Sequence, residues 1–407
     1  MRHLVQRASS QRITDQWSLI ALASALAALA LASGCATSRL RDARASFYAG
    51  RFDAAVGELQ DIPAGNTDRI LFLMERGTAR QAGGDFAGSI ADWLEAARIV
   101  EDLDYVSVSR GASSLVANER VQAFRGAPYE RTLLHAFAAK SYLALGQWDD
   151  AAVEARAIAK SLESLDGYPD DPYSRYVAGF CFEMIGDGDG AALEYRQAGA
   201  LAPALRIEED TGRILPAAAA TNTAAATNTA ADAATAGAAG APGAELVCFV
   251  LMGRAPAADE SADGTAEWEA APYAEILVNG RVLGRSYPLG DTGRLLAATE
   301  RRRAALSAVK TGARIAVKGT IAHQIAEQNR ALGGLAWLVL FALETPDDRR
   351  WATLPRYMQV ARVPCPSDLT EYTLVFRGPG NAEIGRTTVA VPLSRRGRTC
   401  VSYCRAL

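Results

Sequence analysis

A glycine, a large residue two positions later and a small residue five positions later recur four times between residues 50 and 191 of this chain. The four copies are Gly50/Phe52/Ala55, Gly84/Phe86/Ser89, Gly146/Trp148/Ala151 and Gly186/Gly188/Ala191, and the last has glycine in place of the large residue. Glycine readily takes the left-handed conformation that ends many helices. The pattern therefore predicts pairs of antiparallel helices, in which the glycine ends the first helix, the aromatic residue packs between the two and the small residue marks their crossing.

The spacing of the copies indicates a repeat architecture. The first two glycines lie 34 residues apart, which is the period of tetratricopeptide repeats (TPRs). Apolar residues also recur at helical spacing before the third glycine. We predict an α-helical TPR-like solenoid over residues 35–210, followed by a smaller α+β domain with an antiparallel sheet over residues 245–407.

The N-terminus has the features of a secretory signal. Three arginines precede an apolar run that ends near residue 32, and small residues then lead to Cys35. The run is short for a membrane span. Its end resembles the bacterial lipobox, which implies removal of residues 1–34 and lipid attachment at Cys35. An ordinary secretory signal or an uncleaved anchor, with a coincidental cysteine, is the alternative.

Residue 36 bears on where a lipoprotein of this kind would reside. It is alanine, whereas lipoproteins retained at the inner membrane commonly carry aspartate there. The resemblance therefore implies a bacterial cell-envelope protein, anchored in the membrane through lipid on Cys35 and facing the periplasm from the outer membrane.

The middle of the chain predicts a linker. Residues 216–244 repeat the unit AAATNT and contain no large apolar residue, so they have nothing to bury that would offset the entropy of ordering them. We assign residues 211–244 to an Ala/Thr-rich flexible linker, which would leave the two domains without a fixed relative orientation.

The second half changes to β-type patterning. Five short stretches rich in β-formers predict strands at 245–252, 274–284, 371–378, 386–393 and 398–404. Residues 295–344 read as a mainly helical insertion. Its apolar end, Leu332 to Leu343, is too short to cross a bilayer, and burial against the sheet or contact with a membrane or partner both remain open.

Two stretches carry a family resemblance. Residues 123–146 contain a Gly-x-Pro-Tyr-Glu-Arg entry into a helix, a Leu-Leu-His sequence and a Tyr-Leu-Ala-Leu-Gly turn, and residues 344–366 contain Asp348, Arg350, Trp351, Leu354 and Pro355. These resemble a family of uncharacterised bacterial TPR-containing outer-membrane lipoproteins. The resemblance implies a setting in cell-wall assembly, and it brings no catalytic residues because the family has no established activity.

The candidate partner-binding residues lie at the start of the first of these stretches. Tyr129, Glu130, Arg131 and His135 could line a TPR groove that binds a protein or peptide partner. The alternative is that Glu130 and Arg131 are solvated and that His135 is a packing residue. Farther along, Trp351 is expected to plug the junction between helix and sheet.

Five cysteines follow Cys35. Cys181 lies in an apolar helix and is expected to be a small buried residue, while Cys248, Cys365, Cys400 and Cys404 are candidate disulfide cysteines with three possible connectivities. On one strand Cys400 and Cys404 share a face. They are too far apart to bond each other, so each would need Cys248 or Cys365 as partner.

The sequence predicts no enzyme, metal or cofactor. It has no nucleophile elbow, Walker loop, HExxH motif or dinucleotide fingerprint, and its three histidines offer no usual zinc spacing. A net charge of -3 also gives no reason to expect nucleic acid.

The expected function is therefore a membrane-anchored periplasmic scaffold for protein–protein interaction. Two alternatives are an enzyme acting on cell-wall polymers, with Glu130 and His135 as acid and base, and an accessory subunit for exported polymers.

Overall fold

The computed structural model describes residues 38–63, 65–110, 123–216, 243–256, 271–306, 349–391 and 393–407. The predicted signal, Cys35 and the stretch from Leu332 to Leu343 lie outside the described residues. The chain divides into two compact units with the boundary between Asp61 and Ile62.

The first unit contains one helical hairpin. Helix α1 spans residues 38–48 and α2 spans Phe52–Glu58. Gly50 between them has a φ of 73°, and the rings of Phe47 and Phe52 lie 5.6 Å apart. The first copy of the pattern therefore forms the predicted hairpin.

Three further hairpins begin the second unit. Their helices are α3 (Arg69–Ala82), α4 (Phe86–Arg110), α5 (Pro128–Ala144), α6 (Trp148–Glu163), α7 (Pro172–Ile185) and α8 (Gly188–Leu201). Each pair packs together, and α4 on α5 and α6 on α7 join neighbouring pairs. Gly84, Gly146 and Gly186 connect the paired helices with φ values of 86°, 71° and 84°. Their predicted role is confirmed, although Phe86 and Trp148 are only half-buried.

A second glycine, inside the first helix of two of the pairs, allows the paired helices to approach closely. Gly77 and Gly179 each lie seven residues before the glycine of their turn. A Cβ on Gly77 would lie 2.5 Å from Trp93 Nε1, and one on Gly179 would lie 2.9 Å from the Tyr195 ring. The missing side chains make room for the aromatic residue of the partner helix.

A short hairpin follows the helices, formed by β1 (Leu205–Ile207) and β2 (Ile214–Pro216). Ile214 is buried, and the Tyr176 hydroxyl donates to the carbonyl oxygen of Gly212 at 2.7 Å. The ordered helical region therefore continues into the stretch 211–244 that the sequence analysis assigns to the linker. Residues 217–242 lie outside the described residues.

The remaining chain forms two sheets. The strands are β3 (Ala244–Met252), β4 (Tyr273–Val278), β5 (Arg281–Arg285), β6 (Tyr287–Asp291), β7 (Tyr357–Cys365), β8 (Glu371–Arg377), β9 (Glu383–Ala390), β10 (Ser394–Arg396) and β11 (Thr399–Ala406). Helix α9 follows β6 and is described over 292–306, so it begins three residues before the region expected to be helical. The strand order is β10-β11-β3-β7-β6 in one sheet and β5-β4-β8-β9 in the other.

One strand pair departs from the predicted antiparallel arrangement. Strand β11 runs parallel to β3, while the other neighbours are antiparallel. Strand β3 is a nearly continuous apolar run that is buried along both faces. Such a strand suits the middle of a covered sheet, and β11 pairs along its full length.

The second unit has three layers. Alternate residues of β3, β7 and β11 face the four-stranded sheet and form a shared core with it. The opposite face of the five-stranded sheet contacts the helices, with the rings of Phe249 and Phe180 5.7 Å apart. The helices and sheets are thus parts of one compact unit, which differs from the expectation of two separately oriented domains. The apolar outer face of β3 accounts for the difference, because it needs a covering layer.

Within the described ranges, no helix combines the length and the apolar character needed to cross a bilayer.

Candidate functional site

The groove face of the helical array is covered by the protein's own chain. We use this name for the surface of α3, α5 and α7 that contacts residues 351–353 and the five-stranded sheet. Strand β11 packs on α5 and strand β6 packs on α7. The groove in which a partner was expected therefore has an occupant from the same molecule.

Two buried glutamates hold an extended segment of backbone in this groove. Glu130 Oε1 accepts a hydrogen bond from the Trp351 amide at 2.7 Å. Glu75 accepts from the amides of Ala352 and Thr353 at 2.9 and 3.1 Å. We call this arrangement the amide clasp. Carboxylate-to-amide bonds are charge-assisted and stronger than neutral ones, so the clasp fixes residues 351–353 against α3 and α5.

Glu130 also organises the start of its own helix. Its Oε2 accepts from the amide of Ala127 at 2.6 Å, just before Pro128 begins α5. Burial raises the pKa of Glu130, and the two amide hydrogen bonds from Ala127 and Trp351 oppose that rise. One carboxylate thus joins a helix N-terminus to a segment 221 residues later in the sequence.

Trp351 anchors the clasped segment. Its side chain is buried, its ring lies 5.4 Å from Phe137 and 6.3 Å from Trp93, and its Nε1 donates to Thr78 Oγ1 at 2.8 Å. Trp351 therefore packs into the helical array, consistent with the expected position at the junction. Asp348 of the same sequence motif lies outside the described residues.

The four candidate partner-binding residues do not form one open surface. Tyr129 and Glu130 are buried, and burial raises the pKa of Tyr129 well above its ordinary value. Arg131 pairs with Asp104 at 2.8 Å and its side chain is 36% exposed. His135 Nδ1 bonds Glu154 Oε2 at 2.7 Å and is 22% exposed.

The contacts of Glu130 and His135 test two alternatives from the sequence analysis, a solvated Glu130 and an acid–base pair of Glu130 with His135. Glu130 is not solvated, because it bonds the protein's own backbone. Glu130 and His135 also bond different partners, Trp351 and Glu154, so they do not form the acid–base pair that the enzyme alternative requires. Only Arg131 and His135 keep surface that an external partner can reach.

A further polar contact joins α7 to the five-stranded sheet. Arg362 on β7 donates to Glu183 of α7 at 2.6 Å and to Glu245 of β3 at 2.8 Å. Burial alone would lower the pKa of Arg362, but its bonds to these carboxylates raise it. This Arg362 bridge stays charged and holds α7 on the sheet.

The described cysteines are all free and buried. Cys400 and Cys404 face the same core, as expected from their spacing. The disulfides considered for Cys248, Cys365, Cys400 and Cys404 are not formed in the structure. Instead Cys248 Sγ lies 2.9 Å from the Tyr372 hydroxyl, and burial raises the pKa of Cys248 to about 12. In the described part of the chain, no group of three or more His, Cys, Asp or Glu is placed to hold a metal ion.

Sequence reasoning did not identify three residues that now stand out. Glu75, Lys140 and Arg362 are charged residues within apolar stretches, and each lies where the helices contact the later part of the chain. A charged residue on the apolar face of a helix or strand indicates a buried polar contact, because burying a charge without a partner is costly.

No protein-family model matches the chain and no curated protein matches it. Several solved structures are similar to part of it. The RS-1 ArsTM double mutant of MamA is 14% identical with a TM-score of 0.29, and the match covers 43% of this chain and 79% of that one. A Rap protein complexed with Competence and Sporulation Factor is 13% identical with a TM-score of 0.28, covering 40% and 42%. A thermophilic TPR protein from Thermus thermophilus is 18% identical with a TM-score of 0.20, covering 41% and 91%.

Proposed function

We propose that this protein is a lipid-anchored scaffold of the bacterial envelope that binds a protein partner on the outer face of its helical array. The anchor would be lipid on Cys35, placing the folded part at the outer membrane within the periplasm. The role in cell-envelope assembly follows from the family resemblance alone.

One observation carries the choice of surface: the groove face is already filled by the amide clasp and the five-stranded sheet. A partner would therefore meet the second helices of the pairs. Val153 on α6 and Leu193 on α8 each lie seven residues after the glycine of their turn. They are 56% and 43% exposed, so equivalent positions of consecutive pairs present apolar side chains outward.

Photocrosslinking in intact cells tests this choice. A photoreactive phenylalanine analogue would replace Val153 or Leu193 on the outer face, and Thr78 in the groove would serve as the control position. We expect the outer positions to capture one protein reproducibly and the groove position to crosslink only within the chain. Capture of that protein from Thr78, with none from the outer positions, would refute the proposed surface.

Metabolic labelling tests the anchor separately. Cells fed radioactive palmitate should label the wild-type protein, and Cys35→Ser should abolish both label and membrane association. Unlabelled wild-type protein in the membrane fraction would show that the segment acts as an uncleaved anchor instead.

The enzyme alternative has its own assay. Purified peptidoglycan would be incubated with wild-type protein and with His135→Asn, a variant that leaves the amide clasp intact. Release of soluble fragments by the wild type, lost in the variant, would favour the enzyme over the scaffold.

A further inference from the structure

Lys140 lies at the centre of the contact between helices and sheet. Its residue surface is 3% exposed, and its Nζ has no hydrogen-bond partner. The Nζ sits 3.5 Å from the ring centre of Phe137, with the rings of Tyr173 on α7 and Tyr403 on β11 at 5.4 and 5.7 Å. A buried amine without an acceptor is unusual, because buried polar groups are nearly always hydrogen-bonded.

The two tyrosines near Lys140 also have buried polar groups without a partner. The hydroxyls of Tyr173 and Tyr403 are both buried without a hydrogen-bond partner. Burial raises the pKa of both phenols, and the neighbouring Tyr403 raises the pKa of Tyr173 further. Both therefore keep their protons. Three residues with unused donors, one each from α5, α7 and β11, thus lie beside one another in the interface, with both tyrosine rings within 6 Å of the Lys140 Nζ.

A positive charge on Lys140 would also have no negative charge beside it. The charged group whose field reaches it is Arg405, another cation. Arg405 donates to the carbonyl oxygens of Leu251 and Ala406 on the sheet. Among the residues the structure describes, no carboxylate pairs with Lys140, whereas buried charges in proteins are ordinarily paired.

We propose that Lys140, Tyr173 and Tyr403 form a buried binding site for a small monovalent anion, with a carboxylate as the ligand class. An anion accepts hydrogen bonds from all three donors and supplies the missing negative charge. A water molecule would satisfy the hydrogen bonds alone. This site is independent of the outer-face scaffold surface.

The site couples ligand binding to a proton. Burial and Arg405 lower the pKa of Lys140 well below its ordinary value of 10.5, so the empty site favours the neutral amine. A bound anion favours the ammonium form, and binding therefore takes up a proton. Above the Lys140 pKa of the empty site, the apparent affinity should fall about tenfold for each pH unit.

Selective labelling of lysine makes the change in the Lys140 pKa measurable in the intact protein. The chain has four lysines, which are Lys140, Lys160, Lys310 and Lys318. With 13C-labelled lysine, the Lys140 Cε resonance can be assigned by its loss in Lys140→Met and titrated by NMR. We expect sodium formate or acetate to raise its apparent pKa in a saturable manner, compared with sodium chloride at equal ionic strength.

Thermal unfolding gives a second readout. Formate or acetate should raise the Tm of the wild type at pH 6 more than at pH 9. Lys140→Met should abolish the increase, and Tyr173→Phe and Tyr403→Phe should reduce it. Lys160→Met, at an exposed position, should behave as the wild type.

Two results would overturn the proposal. A Lys140 resonance unaffected by either carboxylate would show that the cluster holds only water. An equal Tm increase in wild type and Lys140→Met would show that the anion acts at another site. The comparison holds even if Lys140→Met is less stable, because the increase is measured for each protein against the same protein without the anion.

Discussion

Three buried carboxylates in this protein bond backbone amides. Glu75 and Glu130 hold the amides of residues 351–353, and Asp171 caps α7 by accepting from the amides of Tyr173 and Ser174 at 3.3 and 3.0 Å. The first amides of a helix have no partner within it, and an extended segment also presents free amides. Each carboxylate thus satisfies donors that would otherwise be buried unpaired.

Replacing Glu130 with glutamine should weaken the second unit. A glutamine side chain keeps one oxygen but places an amide donor against the N–H of either Ala127 or Trp351. One buried donor is then unpaired, which costs about 1–3 kcal/mol. Urea unfolding of Glu130→Gln should show this loss, whereas Glu101→Gln at an exposed position of α4 should change the free energy of unfolding by less than about 0.5 kcal/mol. Equal stability of the two variants would contradict the clasp.

Asp171 should make the stability depend on pH. Burial raises its pKa from 3.8 to about 6, so the folded state binds more protons than the unfolded state between these values. The free energy of unfolding therefore falls by roughly 3 kcal/mol as the pH rises through this window.

The variant Asp171→Asn isolates this contribution, because asparagine also caps helices but does not titrate. Chemical denaturation from pH 4 to pH 7 should show that the variant gains stability relative to the wild type as the pH rises. A constant difference between the two proteins would mean that Asp171 does not titrate in this range.

At the scale of secondary-structure elements, the glycines inside the first helices allow the two helices of a pair to pack closely. Gly179→Ala would place a methyl group 2.9 Å from the Tyr195 ring and 3.2 Å from the Ala191 carbonyl oxygen. Overpacking of this kind costs about 1–3 kcal/mol, more than the gain of about 1 kcal/mol in helix propensity.

Gly199→Ala in the partner helix is a matched control, since its new methyl group would lie 3.8 Å from Ile207. Thermal unfolding should show a lower Tm for Gly179→Ala and an unchanged or higher Tm for Gly199→Ala. The opposite order would contradict the tight crossing of α7 and α8.

Local signals made several elements predictable from the sequence. Gly84, Gly146 and Gly186 follow the ends of helices because glycine takes a positive φ at little cost. Asn279 and Gly280 also have positive φ and connect β4 to β5, as their dipeptide indicates. Each of these features depends on a few consecutive residues.

The occupied groove could not be predicted in the same way. Trp351 contacts Glu130 across 221 residues, and no local pattern indicates which segment a carboxylate will hold. Strand β11 posed the same difficulty, because its parallel partner β3 is about 150 residues earlier and a parallel pair has no hairpin signal between its strands. The candidate residues were placed on the correct helix, but their partners required the tertiary structure.

In the second unit as a whole, several contacts join the helices to the later part of the chain. They include the amide clasp, the Arg362 bridge and the contact of Phe180 with Phe249. Because the five-stranded sheet buries one face against the helices, separation of the two parts would expose apolar residues on both. We expect one cooperative unfolding transition for residues 62–407.

Cutting the chain between the two parts tests this expectation. A protease site inserted between residues 217 and 242 should yield two fragments that elute together in size-exclusion chromatography under native conditions. Adding Glu130→Gln and Arg362→Met should weaken their association, because part of the amide clasp and the Arg362 bridge are then lost. Separate elution of the fragments without these substitutions would show that the contact is weak.

The position of β11 determines when this unit can be completed during folding. Strand β11 occupies residues 399–406 and lies between β10 and β3, inside the five-stranded sheet. Until β11 has joined the sheet, β3 is unpaired on one side and the groove face is incompletely covered. The helical hairpins expose apolar surface during that interval, and transiently exposed surface of this kind favours aggregation.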